Sequence, residues 1–469
     1  MANDCDLAII GAGPAGVSAA CVAADLGLST VVLDEQPEPG GQIYRSIESV
    51  AAHRPEALRT LGPDYAAGRR LVESLRAAKV EYLPQATVWN VSPELAINFS
   101  RGGLSHEFHA RHVLVASGAL ERAVPIPGWT LPGVMTVGAL QILLKSFGLV
   151  PKGRFVLAGS GPLLLTLAAQ CLRMGVKPTA IVETVPFARY MASLPHLAGA
   201  LRAGGYLWRG LRMAGAIRAA GVPFYTAASA LCVEGDGSAA ALSFERHGRR
   251  HRLDADVVAL HQGVVPNQQL TRLLGCDHEW DEAQRCFRPK LDDWFISNLQ
   301  GVSVAGDGAG IGGARAAELR GRLAGLGIAH CLGKISTGDR DRLAADDRKR
   351  LARDLAIRPF LDALYAPPED VLRPADAVTV CRCEEVTAGQ LRAVVRLGCP
   401  GPNQAKSLLR CGMGPCQGRL CGLTVSEIIA SERHVSLAEI DYYRIRPPLK
   451  PLQLSELAAL DATRPETSA

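Results

Sequence analysis

The run Gly11-Ala-Gly13-Pro-Ala-Gly16 follows directly on an apolar stretch, Leu7–Ile10, and no other segment limits the fold as tightly. A strand buried on both faces reads as a continuous apolar run. Here that run feeds a glycine-rich turn and then an alanine-rich stretch of helical character reaching Gly27. Gly11 permits the tight turn, Gly13 lets the backbone approach a diphosphate, and Gly16 lets helix and strand pack closely. A second apolar strand, Thr30–Leu33, ends in Asp34-Glu35. An acidic side chain there accepts hydrogen bonds from ribose hydroxyls, and the distance from Gly16 favours Asp34 over Glu35. The pattern predicts a dinucleotide site with its diphosphate at the positive end of the helix.

The same frame recurs further along: strand Arg154–Ala158, the turn Gly159-Ser-Gly161, a helix, strand Thr179–Val182 and then Glu183. The third glycine position is now Leu164. A leucine there widens the helix–strand gap and crowds the site. The expectation is a structural domain, or a site for another nucleotide, ahead of one that uses NAD(P)H. No Cys-x-x-Cys redox pair occurs in this segment, and Cys171 stands alone. Residues 187–220 mix apolar and basic side chains at roughly helical spacing. They read as an inserted amphipathic helical pair covering the core. A contact with another chain comes next, and a membrane-surface helix is a weaker reading.

Three further segments favour a flavin in the first site. Pro39-Gly40-Gly41-Gln42 resembles the flavin-contacting loop of thioredoxin-reductase-like flavoproteins. The strand Val113–Ala116 with its turn Ser117-Gly118-Ala119 resembles the crossover of that superfamily. Gly301–Gly308 resembles its C-terminal FAD motif, with Gly306 and Asp307 at the cofactor. Together they imply an α/β, two-dinucleotide-domain flavoprotein of the thioredoxin/glutathione-reductase-like kind, binding FAD.

A net charge of +5 over 469 residues and few aromatics argue against a nucleic-acid binder. The first strand starts almost at once, so no leader is expected, and no apolar run is long enough to span a bilayer. Thirteen scattered cysteines suit the reducing cytoplasm. Cys5, Cys21, Cys171, Cys232, Cys276, Cys286, Cys331 and Cys399 read as ordinary thiols.

Cys381-Arg-Cys383 and Cys416-x4-Cys421 are different. Four thiols in two tight pairs suit an iron–sulfur cluster or a zinc ion. Iron–sulfur is favoured because a redox cofactor is expected on the same chain. Cys411 precedes Cys416 by the same spacing, so spacing alone does not select the second pair. Thr387-Ala-Gly-Gln390 predicts a capped helix start, and the helix stops at Gly398. Further helices are expected near 403–409 and 423–431. Pro415 predicts a helix start that places Cys416 at a helix N-terminus, where a thiolate is stabilised. Arg382, Arg410 and Arg419 stand near enough in sequence to offset cluster charge.

The cysteine pairs, in the runs Cys-Arg-Cys-Glu-Glu-Val-Thr and Cys-Gly-Met-Gly-Pro-Cys-Gln-Gly-Arg, resemble the [2Fe–2S] domain of bacterioferritin-associated-ferredoxin type. The version of that domain in glycerol-3-phosphate dehydrogenase carries Cys-Gln-Gly-x-x-Cys. That resemblance points to Cys416 and Cys421 and demotes Cys411. The tail Tyr443-Arg-Ile-Arg-Pro-Pro-Leu-Lys-Pro-Leu resembles a narrower group, the flavin and iron–sulfur A subunits of heteromeric amino-acid dehydrogenases. These include opine oxidase, D-hydroxyproline dehydrogenase and hydrogen cyanide synthase; the sarcosine oxidase α chain is more distant.

The resemblance implies a separate FAD-containing β subunit that oxidises the substrate's C–N bond, a small third subunit, and a quinone or other acceptor. It also implies an FMN between subunits. This chain would accept and relay electrons, in the cytoplasm or peripherally at the inner face of the membrane. No residue pair in it reads as acid and base for substrate oxidation. The competing readings are a self-contained NAD(P)H-dependent FAD oxidoreductase with a fused ferredoxin-like domain, and a zinc-bearing structural or regulatory subunit.

The expected layout is an FAD domain over 1–150 and 290–345, and a second domain over 151–289 with its insert at 187–220. A linker follows over 346–376, then the [2Fe–2S] domain over 377–435. The tail, 436–469, is expected to contact another subunit. Expected cofactor contacts are Gly11, Gly13, Gly16, Asp34, Glu35, Gly41, Gln42, Ser117, Gly118, Gly306 and Asp307. The expected metal ligands are Cys381, Cys383, Cys416 and Cys421.

Overall fold

The computed structural model describes residues 5–462. Its first sheet runs, edge to edge in parallel, through Glu81–Pro84, Thr30–Asp34, Cys5–Ile10, the C-terminal half of Leu104–Val115, and Val302–Val304. The N-terminal half of Leu104–Val115 leaves that sheet and pairs antiparallel with Ala96–Arg101, which pairs with Thr87–Val91. The sheet is thereby extended by an antiparallel ribbon. Helices Pro14–Asp25 and Ala314–Cys331 pack on one face, where Gly321 and Gly325 allow near contact: a Cβ on Gly321 would lie 2.1 Å from Ala15 O.

A second parallel sheet runs Phe224–Tyr225, Ala180–Glu183, Phe155–Ser160, Val257–Gln262, Val134–Thr136. The last of these strands lies ahead of the boundary expected at 150, because Val134–Thr136 pairs with Val258–Leu260 rather than with the first sheet. The insert forms helices Phe187–Ser193, Leu197–Arg202 and Gly204–Ala219.

The expected linker is helical instead. Ser336 caps Thr337–Leu355, and this charge-rich helix lies on Ala314–Cys331 with Arg322 paired to buried Asp347 at 2.7 Å. The other charged residues of this stretch form the exposed face of the helix. Arg358–Leu364 and Glu369–Leu372 follow.

The cysteine-bearing module is not tethered loosely. One continuous apolar core contains Ala8, Leu33 and Val113 of the first sheet, Phe287 of the hairpin His278–Pro289, Leu391 and Ile428 of the module, and Tyr443 of the tail. Polar contacts lock the same seam. Arg285 donates twice to buried Glu427, at 2.7 and 2.8 Å, and Trp129 Nε1 donates to Thr379 O at 2.7 Å.

Candidate dinucleotide cradle and thiolate centre

Two of the three glycines of the first turn leave no room for a side chain. Gly11 has φ +108, and an added Cβ would lie 2.5 Å from Ala116 O. On Gly16 it would lie 1.9 Å from Gly11 O. The loop Pro39–Gln42 folds back onto this turn, where a Cβ on Gly41 would meet Gly13 Cα at 2.8 Å. The Gly306–Asp307 turn arrives from the other side: a Cβ on Gly306 would stand 2.8 Å from Ala15 Cβ, and one on Gly308 3.5 Å from Gly118 O. Four loops far apart in sequence thus meet at the N-terminus of helix Pro14–Asp25. That terminus has no side-chain cap and no acidic residue in its first turn. Its N–H groups and positive dipole end are left for an anion.

Asp34 is buried and accepts from Ala12 N at 2.5 Å and Gln36 N at 2.7 Å. Burial pushes its carboxyl up in pKa while these two N–H groups pull it down. Each carboxylate oxygen has a second lone pair for a ribose hydroxyl. Glu35 instead takes Lys450 of the tail at 2.7 Å. Burial raises the Glu35 carboxyl, but the ammonium outweighs it and holds the group low. Asp307 caps its own turn, Oδ1 accepting from Gly312 and Gly313 N at 2.9 Å each. Ser117 Oγ donates to Asn267 O at 3.0 Å.

Three residues at the cradle escaped the sequence reading. Arg45 is buried with its Nε unpartnered, and the buried Asn267 Oδ1 beside Ser117 is likewise unpartnered. Lys145, 2% exposed, donates to Gln42 O at 3.0 Å and Gln141 Oε1 at 2.9 Å. Burial, aided by the Arg45 charge, lowers its pKa to about 7. The Gln141/Lys145 spacing in an otherwise apolar helix was the available signal. The side-chain-free cradle, the open helix end and the unpartnered donor and acceptor fit a dinucleotide such as FAD.

The second glycine turn is differently furnished. A Cβ on Gly161 would touch the His261 ring at 3.4 Å, and His261 Nδ1 lies 2.5 Å from Glu121 Oε1. Leu164 is 2% exposed and packs into the core. Glu183, at the position that would read a ribose, accepts from the insert's Tyr190 hydroxyl at 3.0 Å.

In the C-terminal module the Sγ atoms of Cys381, Cys411 and Cys421 lie within 4.8 Å of one another, all buried. Cys383 is exposed and Cys416 half-buried. A Cβ on Gly414 would fall 2.3 Å from Cys383 Cβ, so the two cysteine loops touch. The capping box at Thr387/Gln390 is present, and helices Ala388–Arg396, Pro402–Leu409 and Gly422–Arg433 form the scaffold.

The expected placement of Cys416 at a helix N-terminus is corrected: residues 414–421 are turns, and Cys421 is the N-cap of Gly422–Arg433. Gln417 and Gly418 take positive φ, which breaks a right-handed helix there. Hydrogen bonds from Cys411 and Cys421, with Gly412 N–H at 3.4 Å, pull the Cys381 thiol far down. Arg410 is tied to Glu384 at 2.9 Å, and Arg419 donates to Cys416 O at 3.1 Å and Leu449 O at 2.8 Å. Five soft sulfurs on two touching loops, with backbone N–H support, suit an iron–sulfur cluster.

The comparisons with known proteins agree with this geometry. Residues 5–323 match the family described as pyridine nucleotide-disulphide oxidoreductase, and residues 379–431 match the BFD-like [2Fe-2S] binding domain. The chain belongs to the pyridine nucleotide-disulphide oxidoreductase family. The A subunit of opine oxidase from Rhizobium meliloti (strain 1021) is 45% identical to this family member over 97% of the chain and 98% of the relative. The HcnB subunit of hydrogen cyanide synthase from Pseudomonas aeruginosa is 31% identical over 95% of this chain and 97% of its own length. In fold, the L-proline dehydrogenase from P. horikoshii superposes with a TM-score of 0.71 at 19% identity, covering 97% of this chain and 79% of that one. The chain is a two-dinucleotide-domain oxidoreductase with FAD and a [2Fe–2S] cluster as its cofactors.

Proposed function

We propose that this chain is the electron-transferring flavin and iron–sulfur subunit of a heteromeric amino-acid or opine dehydrogenase. A partner protein with its own FAD oxidises the C–N bond. The observation that carries the reading is the rigid union, through one apolar core, of an open dinucleotide cradle with a five-cysteine centre. The near full-length likeness to the A subunit of opine oxidase supports the substrate class. When bound, FAD exchanges electrons in pairs or singly and the cluster takes one at a time.

The residues of this chain bind and orient. The open end of helix Pro14–Asp25 would hold the diphosphate and Asp34 the ribose, with Gln42, Ser117–Gly118 and Asp307 completing the cradle. An FMN between subunits is a further part of the proposal. NAD(P)H use is disfavoured by Leu164 in the core and by the occupied Glu183.

We assign the cluster ligands as Cys381, Cys383, Cys416 and Cys421. The packing of Cys411 against Cys381 and Cys421 supports one specific rival set, in which Cys411 replaces Cys416. Cys411→Ser should keep iron and acid-labile sulfide, while Cys416→Ser should lose them; the reverse result selects the rival.

The partner, we propose, docks on the insert, which exposes Phe187, Met191, Leu194, Leu201, Trp208 and Leu211. Arginines but no Asp or Glu lie between residues 187 and 220. We place the assembly in the cytoplasm, peripherally at the inner face of the membrane, with a quinone as acceptor. Among the described residues no helix is long and apolar enough to cross a membrane.

The deciding experiment is expression of this chain with and without the neighbouring dehydrogenase subunit from the same source. Opine- or amino-acid-dependent dye reduction should need both chains. Turnover by this chain alone would overturn the reading, and so would zinc without sulfide in the C-terminal module.

A further inference from the structure

Tyr443 is held more tightly than packing alone requires. Its ring is 1% exposed and lies between two glycines of the second cysteine loop. A Cβ on Gly412 would sit 2.6 Å from the ring's Cζ, and one on Gly418 2.5 Å from Cδ2. Both glycines have positive φ, +84 and +81, so the loop is doubly restricted to glycine at these points. The neighbouring Tyr442 braces the same loop, its hydroxyl donating to Gly418 O at 2.9 Å. The two rings meet edge to face at 5.6 Å between centroids, and Lys406 Nζ stands 4.8 Å from the centroid of the Tyr443 ring.

This mounting aims one polar atom. The Tyr443 hydroxyl donates to Cys411 Sγ at 3.4 Å and lies 3.8 Å from Cys421 Sγ. Cys381 completes the same buried trio. In the rival set its acceptor Cys411 is itself a ligand; in the assigned set the hydroxyl stands 3.8 Å from the ligand Cys421, within reach of the same hydrogen. Hydrogen bonds to the sulfurs of an iron–sulfur centre stabilise its more negative, reduced form and raise its potential. In a buried site the effect is enlarged by the low local dielectric. A phenol is suited to this, because it donates one hydrogen bond and carries no charge.

We propose that Tyr443 is a positioning residue that sets the reduction potential of the cluster by donating its single hydroxyl hydrogen to one sulfur of the buried Cys411–Cys421 pair. The inference rests on the [2Fe–2S] reading of the module and adds to it a residue outside the cysteine motifs. The two glycines are part of the device, since they alone let the ring reach the sulfurs.

The test uses the full-length chain in its complex, prepared anaerobically. Iron, zinc and acid-labile sulfide are measured first, then the cluster midpoint potential by redox titration followed by EPR. Tyr443→Phe keeps the ring and removes only the donor. The expected result is iron and sulfide at wild-type content with the midpoint potential shifted to a more negative value. Unchanged potential at full cluster content overturns the proposal and leaves Tyr443 a packing residue.

If Tyr443→Phe loses its cluster, 3-fluorotyrosine placed at 443 decides, because it keeps the shape and strengthens the donor. A shift to a more positive potential supports the proposal, and no shift overturns it. Zinc without sulfide in the wild-type protein refutes the cluster reading itself, which separates the two failures.

Discussion

Gly16 and Leu164 occupy the same step of the same strand–turn–helix motif, and both helix ends are uncapped and free of acids, yet the residues around the two turns differ. At Gly16 the helix backbone presses onto Gly11 O, and the helix end stays uncapped and free of acids. Asp34 stands at the strand end with lone pairs to spare. At Leu164 the side chain fills the core, the His261–Glu121 pair lies beneath the turn, and the equivalent acid Glu183 is taken by Tyr190. Both halves keep a parallel sheet with a crossover helix. Such a scaffold does not depend on its site: sheet and helix are held by apolar burial, while a nucleotide also needs a close backbone and an unoccupied acid.

The contrast breaks most easily at the first turn. Gly16→Leu should abolish flavin retention, read as loss of the flavin absorbance band in a chain that still shows native far-UV circular dichroism. Retained flavin would mean that the close approach is dispensable. Leu164→Ala should cost about 2–5 kcal/mol in denaturant unfolding through the cavity it leaves, with flavin content unchanged; flavin loss there would couple two regions taken as independent.

Lys145, whose helix lies between the two halves, sharpens the contrast through pH. Its folded pKa is about 7 against an ordinary 10.5, so across that window the unfolded chain binds a proton that the folded chain lacks. Stability should therefore rise with pH from about 7 towards 10.5 and level off below 7, where both states hold the proton. Lys145→Met should flatten this slope in unfolding measured at several pH values.

Tyr190→Phe should cost about 1 kcal/mol and free Glu183, while NADH still fails to bleach the flavin. Rapid bleaching in that variant would reveal a nucleotide site masked by the insert. The smallest effect is expected from Lys450→Ala. Its ion pair with Glu35 is exposed, so less than about 1 kcal/mol should be lost, and nothing at high salt.

Local patterns were readable in advance wherever the physics is local. The three glycines, the Thr387/Gln390 capping box and the helices around the cysteines each depend on a few neighbouring residues. Misreadings arose where a residue's role depends on distant partners. The start of the expected 346–376 linker is helical because Ala314–Cys331 offers it a surface and Asp347 finds Arg322. Cys416 left the helix start because the turn is bent around Tyr443, from another segment altogether. Arg45 carries no motif and is marked only by burial beside the cradle, and Lys145 is marked in sequence only by its spacing from Gln141.

From the amino-acid order alone came the two glycine frames, the acidic ends of their strands at Asp34 and Glu183, and the two cysteine clusters, since each is set by spacing along a strand, turn or helix. Folding in three dimensions decided which acid stays open, which thiols meet, and that Lys450 of the tail returns to Glu35. Such pairings join positions far apart along the chain, and only the packing of the shared apolar core brings them within a few ångströms.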